Sequence, residues 1–276
     1  MTLTKFLLHL LAIGPQYYII AGIVFLVFYV LLRRRISWRK IQPKFPAAKD
    51  YKREIFFSSI SILIFTLPPF ILLENRRLRV HTTFYKDISQ HGWVWFWAAF
   101  PLMLFMHDTY FYWMHRLIHQ PKLFRLFHLV HHRSVNPTPW AAYSFHPLEA
   151  VTESLMYIIF LYTIPVTIWH LFFFFLISLS INVYGHLGYE LLPPSFSRRP
   201  IGRWINTSVG HNLHHHYFKG NYGLYFLFWD RVMGTIREDY DEAFPESNHK
   251  IILPPTTTRP QKNPGCRSYP AARILF

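Results

Sequence analysis

Long apolar runs separated by short polar stretches set the pattern of this chain. The first begins at Phe6, is interrupted by Gly14-Pro15, and resumes from Gln16 to Leu32. With its flanks, Tyr17 to Leu32 is long enough to cross ~30 Å of hydrocarbon at ~1.5 Å per helical residue. No small-residue cleavage site follows it, so no cleavable signal peptide is expected. A second run, Ile55 to Leu73, carries Pro68-Pro69, and a third, Trp93 to about Met114, is rich in aromatic residues and contains Pro101. A fourth, Leu155 to Tyr184, is thirty residues long with Pro165 inside it. The pattern predicts an all-α integral membrane bundle of about four membrane helices or hairpins.

Between and after these runs lie two polar, His-rich stretches, 115–150 and 186–220. If both serve one site, the run between them must return to the side it left. That predicts a hairpin bent near Pro165, with two arms each about 22 Å long. The division expected is 1–92 for N-terminal membrane helices, 93–245 for a catalytic domain and 246–276 for a disordered tail. The Pro-rich segment from Pro254 onward shows no periodicity.

Charge fixes an orientation. Residues 33–53 carry nine Lys or Arg against one Asp, whereas only Lys5 precedes the first run. The positive-inside rule therefore places 33–53, and the His-rich cap, in the cytoplasm. Arg76, Arg77 and Arg79 sit awkwardly with this, unless Ile55–Leu73 is itself a hairpin at Pro68-Pro69. The net charge of +15 could also suit nucleic acid, but 51% hydrophobic and 19% aromatic residues decide for a membrane. A single Cys, Cys266, excludes a disulfide framework and a Cys-ligated zinc site.

Of seventeen histidines, thirteen fall between His107 and His216. They form three clusters: His115 and His119; His128, His131 and His132; His211, His214 and His215, with His216 following. On a helix, positions i and i+4 differ by about 40° and i and i+3 by about 60°, so each cluster is expected to point its imidazoles to one side. His146 and His186 are further candidates. A lone His pair is usually surface decoration, but eight imidazoles in an apolar protein need partners. They exceed the needs of one ion, so two metals are expected. All-nitrogen ligation suits Fe, Cu, Zn or Ni, and a closed structural zinc site would need only four ligands. Redox iron acting with O2 is the sharper reading. A His-rich metal transporter is the alternative, although its ligands would lie within the spans rather than flank them. A scaffold would leave the spacing unexplained. Asp108, Glu149, Glu153 and Asp230 are the acids placed to orient ligands. His107, off the His115 face, is expected to face solvent or headgroups, and His170 to be a core imidazole.

From about residue 104 to 240 the chain resembles the fatty acid hydroxylase and sterol desaturase superfamily. The resemblance rests on Asp108 through Arg116, the HxxxH, HxxHH, HxxHH order, Asn136-Pro137-Thr138-Pro139-Trp140, Phe145 to Glu149, Asn221-Tyr222-Gly223 and Trp229 to Thr235. It is most similar to the sterol C5-desaturase branch and related bacterial members. The resemblance implies His115, His119, His128, His131, His132, His211, His214 and His215 as catalytic metal ligands, with His186 and His146 added to the metal set. It implies two iron ions, O2 as co-substrate, and hydroxylation or desaturation of a sterol-like or fatty-acyl C–H bond. With no fused cytochrome b5 domain visible, it implies a separate electron donor of cytochrome b5, ferredoxin or reductase type. The expected partners are a lipid substrate and the membrane, with no nucleic acid. The expected location is a bacterial inner membrane, with the endoplasmic reticulum as the other possibility.

Overall fold

The computed structural model describes residues 2–240. Among them there is no strand, only three isolated bridges such as Lys40 with Tyr189. The elements that matter are α1 (Leu3–Phe25), α2 (Ala48–Glu74), α3 (Gly92–Ile118), α4 (Leu129–His132), α5 (Pro147–Thr163), α6 (Ile168–Gly185), α7 (Ser208–Tyr217) and α8 (Phe228–Val232). The expected tail, 246–276, lies outside the described residues.

Gly14-Pro15 does not break the first run. Helix α1 passes through Pro15 and continues as a π-helical turn to Leu31. Helix α2 is likewise one continuous helix containing Pro68 and Pro69, not a hairpin. Proline is tolerated inside such helices because packing restrains the chain where a backbone bond is lost. Among the described residues, three stretches are long and apolar enough to cross a membrane: Leu3–Leu31, Ala48–Glu74 and Ile168–Gly185. Leu7, Leu8, Leu11, Ile19 and Ile23, with Val30 in the π-helical turn that follows, leave this first helical stretch with a large exposed apolar face, as lipid contact requires.

The expected reversal in the fourth run occurs between Thr163 and Ile168. Thr167 caps α6 by accepting from the His170 N–H. His170 is fully buried; its Nδ1 accepts from the Thr167 N–H and its Nε2 donates to the Phe96 carbonyl. It is the core imidazole expected.

Contacts at the two ends of the bundle show that successive long helices run antiparallel. At one end Lys5 meets Glu74 at 2.5 Å, and Trp95 Nε1 donates to the Pro165 carbonyl. At the other, Tyr29 donates to the Leu187 carbonyl, and His115, Glu149 and His186 gather. Arg76, Arg77 and Arg79 therefore lie at the end opposite the histidines. The interior between α3, α5 and α6 is filled by Met103, Met156, Phe160, Leu161 and Phe174. A second cluster, Tyr17, Ala21, Ile62, Ala142, Leu179 and Val183, locks α1 and α2 to α6 and to the turn at Pro139–Tyr143.

Candidate metal centre

Helices α3, α5 and α6 deliver their site residues at one end of the bundle, where the polar segments close over them. His115 is in the last turn of α3 and His119 caps it. A π-helical turn, Phe124–His128, leads into α4, and His186 caps α6. Helix α7 is started by Thr207, whose Oγ1 accepts from the Gly210 N–H, and by Glu190, which accepts from the Val209 N–H.

Nine imidazoles form two groups. His115, His119, His128, His132 and His214 make the first; His131, His186, His211 and His215 make the second. His115 and His119 stay together as expected, but the second and third clusters are divided between the groups, contrary to the expectation that each faces one way. Adjacent residues on a helix differ by about 100°, so His131 and His132 must diverge. In α7, His211 and His215 share a direction and His214 turns to the other group.

Nitrogen geometry tests the fit to metal. In the first group Nε2 atoms approach at 2.9 Å (His115 with His128), 3.2 Å (His119 with His115 and with His132) and 3.1 Å (His132 with His214). In the second the separations run from 3.0 to 3.3 Å. An ion about 2.1 Å from each nitrogen, with angles near 90°, would separate them by about 3.0 Å. Protonation points the same way. His115 Nδ1 donates to the Tyr222 carbonyl, His214 Nδ1 to the Gly220 carbonyl and His186 Nδ1 to the Asn182 carbonyl. Each of these rings, when neutral, therefore presents a bare Nε2 lone pair to its group. Burial, with the neighbouring imidazoles, pushes the pKa of His128, His131, His132, His211, His214 and His215 well down, so they are neutral at pH 7. Crowded, neutral lone pairs without a cation would repel one another. The donor set fits borderline transition metals, iron included.

The acids have distinct roles. Glu149 Oε1 accepts from His128 Nδ1 at 2.6 Å and orients it directly. Asp108 accepts from the Tyr225 and Phe226 N–H groups. Asp230 accepts from the Tyr222 and Gly223 N–H groups and from Thr235 Oγ1. Both hold the 220–227 loop, whose carbonyls orient His115 and His214. Gly220 has φ +78, and a Cβ there would meet the Thr235 carbonyl at 2.8 Å. Glu153 makes no hydrogen bond among the described residues. Asp230→Ala is expected to destabilise the fold by about 2–4 kcal/mol, because two buried N–H groups lose their acceptor. Thermal unfolding in detergent checks this; a melting temperature equal to wild type would contradict it.

One candidate falls elsewhere. His146 is outside both groups; its Nδ1 accepts from the Leu148 N–H and caps α5. His216 is outside too, with neither ring nitrogen hydrogen-bonded. His107 is buried, not solvent-facing, and its Nδ1 lies 2.7 Å from the Tyr225 hydroxyl, which itself donates to Ser178. Sequence reasoning missed Phe124, Phe145 and Phe218, whose rings lie against His119, His131 and His132. Phe218 is the more unusual, because it ends α7 in the left-handed region with φ 61. A bulky residue there costs about 1–2 kcal/mol.

The fatty acid hydroxylase family pattern matches residues 100–235. A Delta(7)-sterol 5(6)-desaturase of Gibberella zeae is 33% identical over 224 residues, covering 80% of this chain and 65% of the relative. Another from Aspergillus fumigatus is 30% identical over 233 residues, covering 77% and 69%. A lathosterol oxidase of Rattus norvegicus is 32% identical over 223 residues, covering 78% and 71%. The chain thus spans roughly two thirds of the length of these relatives. No solved structure matches it. Similarity that reaches across the histidine clusters and the loop that orients them leaves one conclusion: the chain belongs to the fatty acid hydroxylase and sterol desaturase superfamily.

Proposed function

We propose that this protein is a membrane-bound non-haem di-iron oxidoreductase that uses O2 to hydroxylate or desaturate a lipid C–H bond, on a sterol-like or fatty-acyl substrate. One observation carries the reading: nine buried or nearly buried imidazoles sort into two groups whose Nε2 atoms converge at metal-ligand spacing. The names of the relatives, sterol desaturases and a lathosterol oxidase, support a lipid substrate.

His115, His119, His128, His132 and His214 would hold one ion, and His131, His186, His211 and His215 the other. Bound iron would supply the redox chemistry with O2. The protein supplies the rest. The carbonyls of Tyr222, Gly220 and Asn182 and the Glu149 carboxylate fix ring orientation and keep protons off the metal-facing nitrogens. The aromatic helices around the centre exclude water and offer an apolar path for lipid. Nine Lys or Arg in 33–53 lie beside the end of the bundle that holds the site, which supports a cytoplasmic active site in a bacterial inner membrane or the endoplasmic reticulum.

Expressing the protein in cells that lack it, with lipids compared with and without O2, tests the reading. The expected result is an O2-dependent lipid carrying one added hydroxyl or one added double bond, absent when His115 and His211 are replaced. An unchanged lipid profile, from protein holding two ions per chain and supplied with electrons, would overturn it.

A further inference from the structure

Of the nine grouped imidazoles, only His119 is not fully buried. The surface around it has a particular make-up. Phe124 lies 5.3 Å from the His119 ring and 5.4 Å from that of His132. Phe218, 39% exposed, lies 5.0 Å from His132 and meets Phe124 edge-on at 6.0 Å. The two phenyl rings thus form a thin aromatic cover between solvent and the first metal group. Phe218 holds its place in a backbone conformation that favours glycine, as residues at working surfaces often do.

Cations flank this cover. Lys122 and Arg125 bracket Phe124, and Lys219 follows Phe218; all three are exposed, and none has an ion-pair partner among the described residues. The nearby Asp239 is neutralised by Arg237, with contacts of 2.8 and 2.7 Å. With Glu238 the one other exposed acid in this stretch of the described residues, the patch carries a net positive charge and lies over His119, the least buried of the grouped imidazoles.

We infer that the face made by Phe124, Phe218, Lys122, Arg125 and Lys219 docks an acidic one-electron carrier protein. This rests on the oxidoreductase reading above. Charge complementarity would steer such a carrier, and the aromatic cover would bring its redox group close to the ligands. An anionic headgroup would satisfy the charges but gives no reason for rings stacked on ligands. Each encounter oxidises the carrier by one electron. A hydroxylation takes up one O2, two electrons and two protons and releases one water; a desaturation takes up the same and releases two.

The test uses full-length, iron-loaded protein in detergent. The probes are two acidic carriers, a soluble cytochrome b5 haem domain and a plant-type [2Fe–2S] ferredoxin, with reduced methyl viologen as a small cationic reductant. Carrier oxidation is followed by stopped-flow absorbance. The expected result is oxidation of at least one carrier, slowed about ten-fold when salt rises from about 50 to 500 mM. Lys122→Glu/Arg125→Glu/Lys219→Glu is expected to slow it at least about ten-fold, with iron content and oxidation of methyl viologen unchanged. Arg76→Glu/Arg77→Glu, at the other end of the bundle, should match wild type. The inference is overturned if the triple variant oxidises both carriers at the wild-type rate, or if wild type oxidises neither while still oxidising methyl viologen. It is also overturned if the triple variant loses only binding to phosphatidylserine vesicles. Failure to oxidise methyl viologen, in protein containing two irons, would instead count against the oxidoreductase reading.

Discussion

His131→Ala is expected to lower bound metal from two ions towards one per chain and to reduce lipid oxidation at least about a hundred-fold. The second group has only four imidazoles, so losing one leaves its ion three protein ligands. Loss of a group that merely orients a ligand already costs about 10–100-fold in affinity or activity, and loss of the ligand itself should exceed that. His131 sits in α4 beside His132, which serves the other ion, so the first group should keep its metal. His107→Ala is the informative comparison. It removes a buried hydrogen bond to Tyr225 and should cost about 1–3 kcal/mol of stability. It touches neither group, and its iron content should stay at two. Elemental analysis after iron loading, with lipid products measured at matched protein levels, distinguishes the variants. Wild-type metal content in His131→Ala would remove it from the ligand set.

Glu149→Gln should weaken the first ion selectively. The carboxylate accepts from His128 Nδ1 in a site with almost no access to water, and among the described residues it is the one acidic side chain hydrogen-bonded to a grouped imidazole. An amide preserves shape and can still accept, but it removes the anion that offsets the charge of the bound ion. The expected loss is about 10–100-fold in affinity at the first group, with the second unchanged. Mössbauer spectra of protein loaded with iron-57 can read this, because one of two iron signals should diminish under sub-stoichiometric iron while the other persists. Equal loss of both signals, or of neither, would show that Glu149 does not act through His128. Activity should fall with the first signal.

The spacing of His115, His119, His128, His131, His132, His211, His214 and His215 was legible because helical periodicity and ligand chemistry constrain the same positions. The bend near Pro165 followed from requiring both His-rich stretches on one side. Other features depend on contacts remote in sequence. Whether His131 and His132 serve one ion or two depends on where α7 lies, because a 100° divergence can be satisfied either way. His107 looked solvent-facing on a helical wheel, yet Tyr225 arrives from more than a hundred residues away to cover it. The carbonyls of Tyr222, Gly220 and Asn182 leave no trace in side-chain identity, although the Asn221-Tyr222-Gly223 motif and Asp230 marked the loop that holds two of them. Gly14-Pro15 and Pro68-Pro69 read as interruptions because proline disfavours helix in water, whereas in an apolar helix the alternatives are worse.

Helix α7 gives His214 to one group of imidazoles and His211 and His215 to the other. The first group therefore cannot be complete on a nascent chain until residue 214 has been made, nor the second until residue 215 has been made and the α5–α6 hairpin has brought His186 alongside. The ribosome has by then completed every long apolar helix among the described residues. On the di-iron reading proposed above, redox-active iron would find no complete cage while the bundle is being threaded into lipid, and metallation would be the closing event of biogenesis, a safeguard written into the order of the chain.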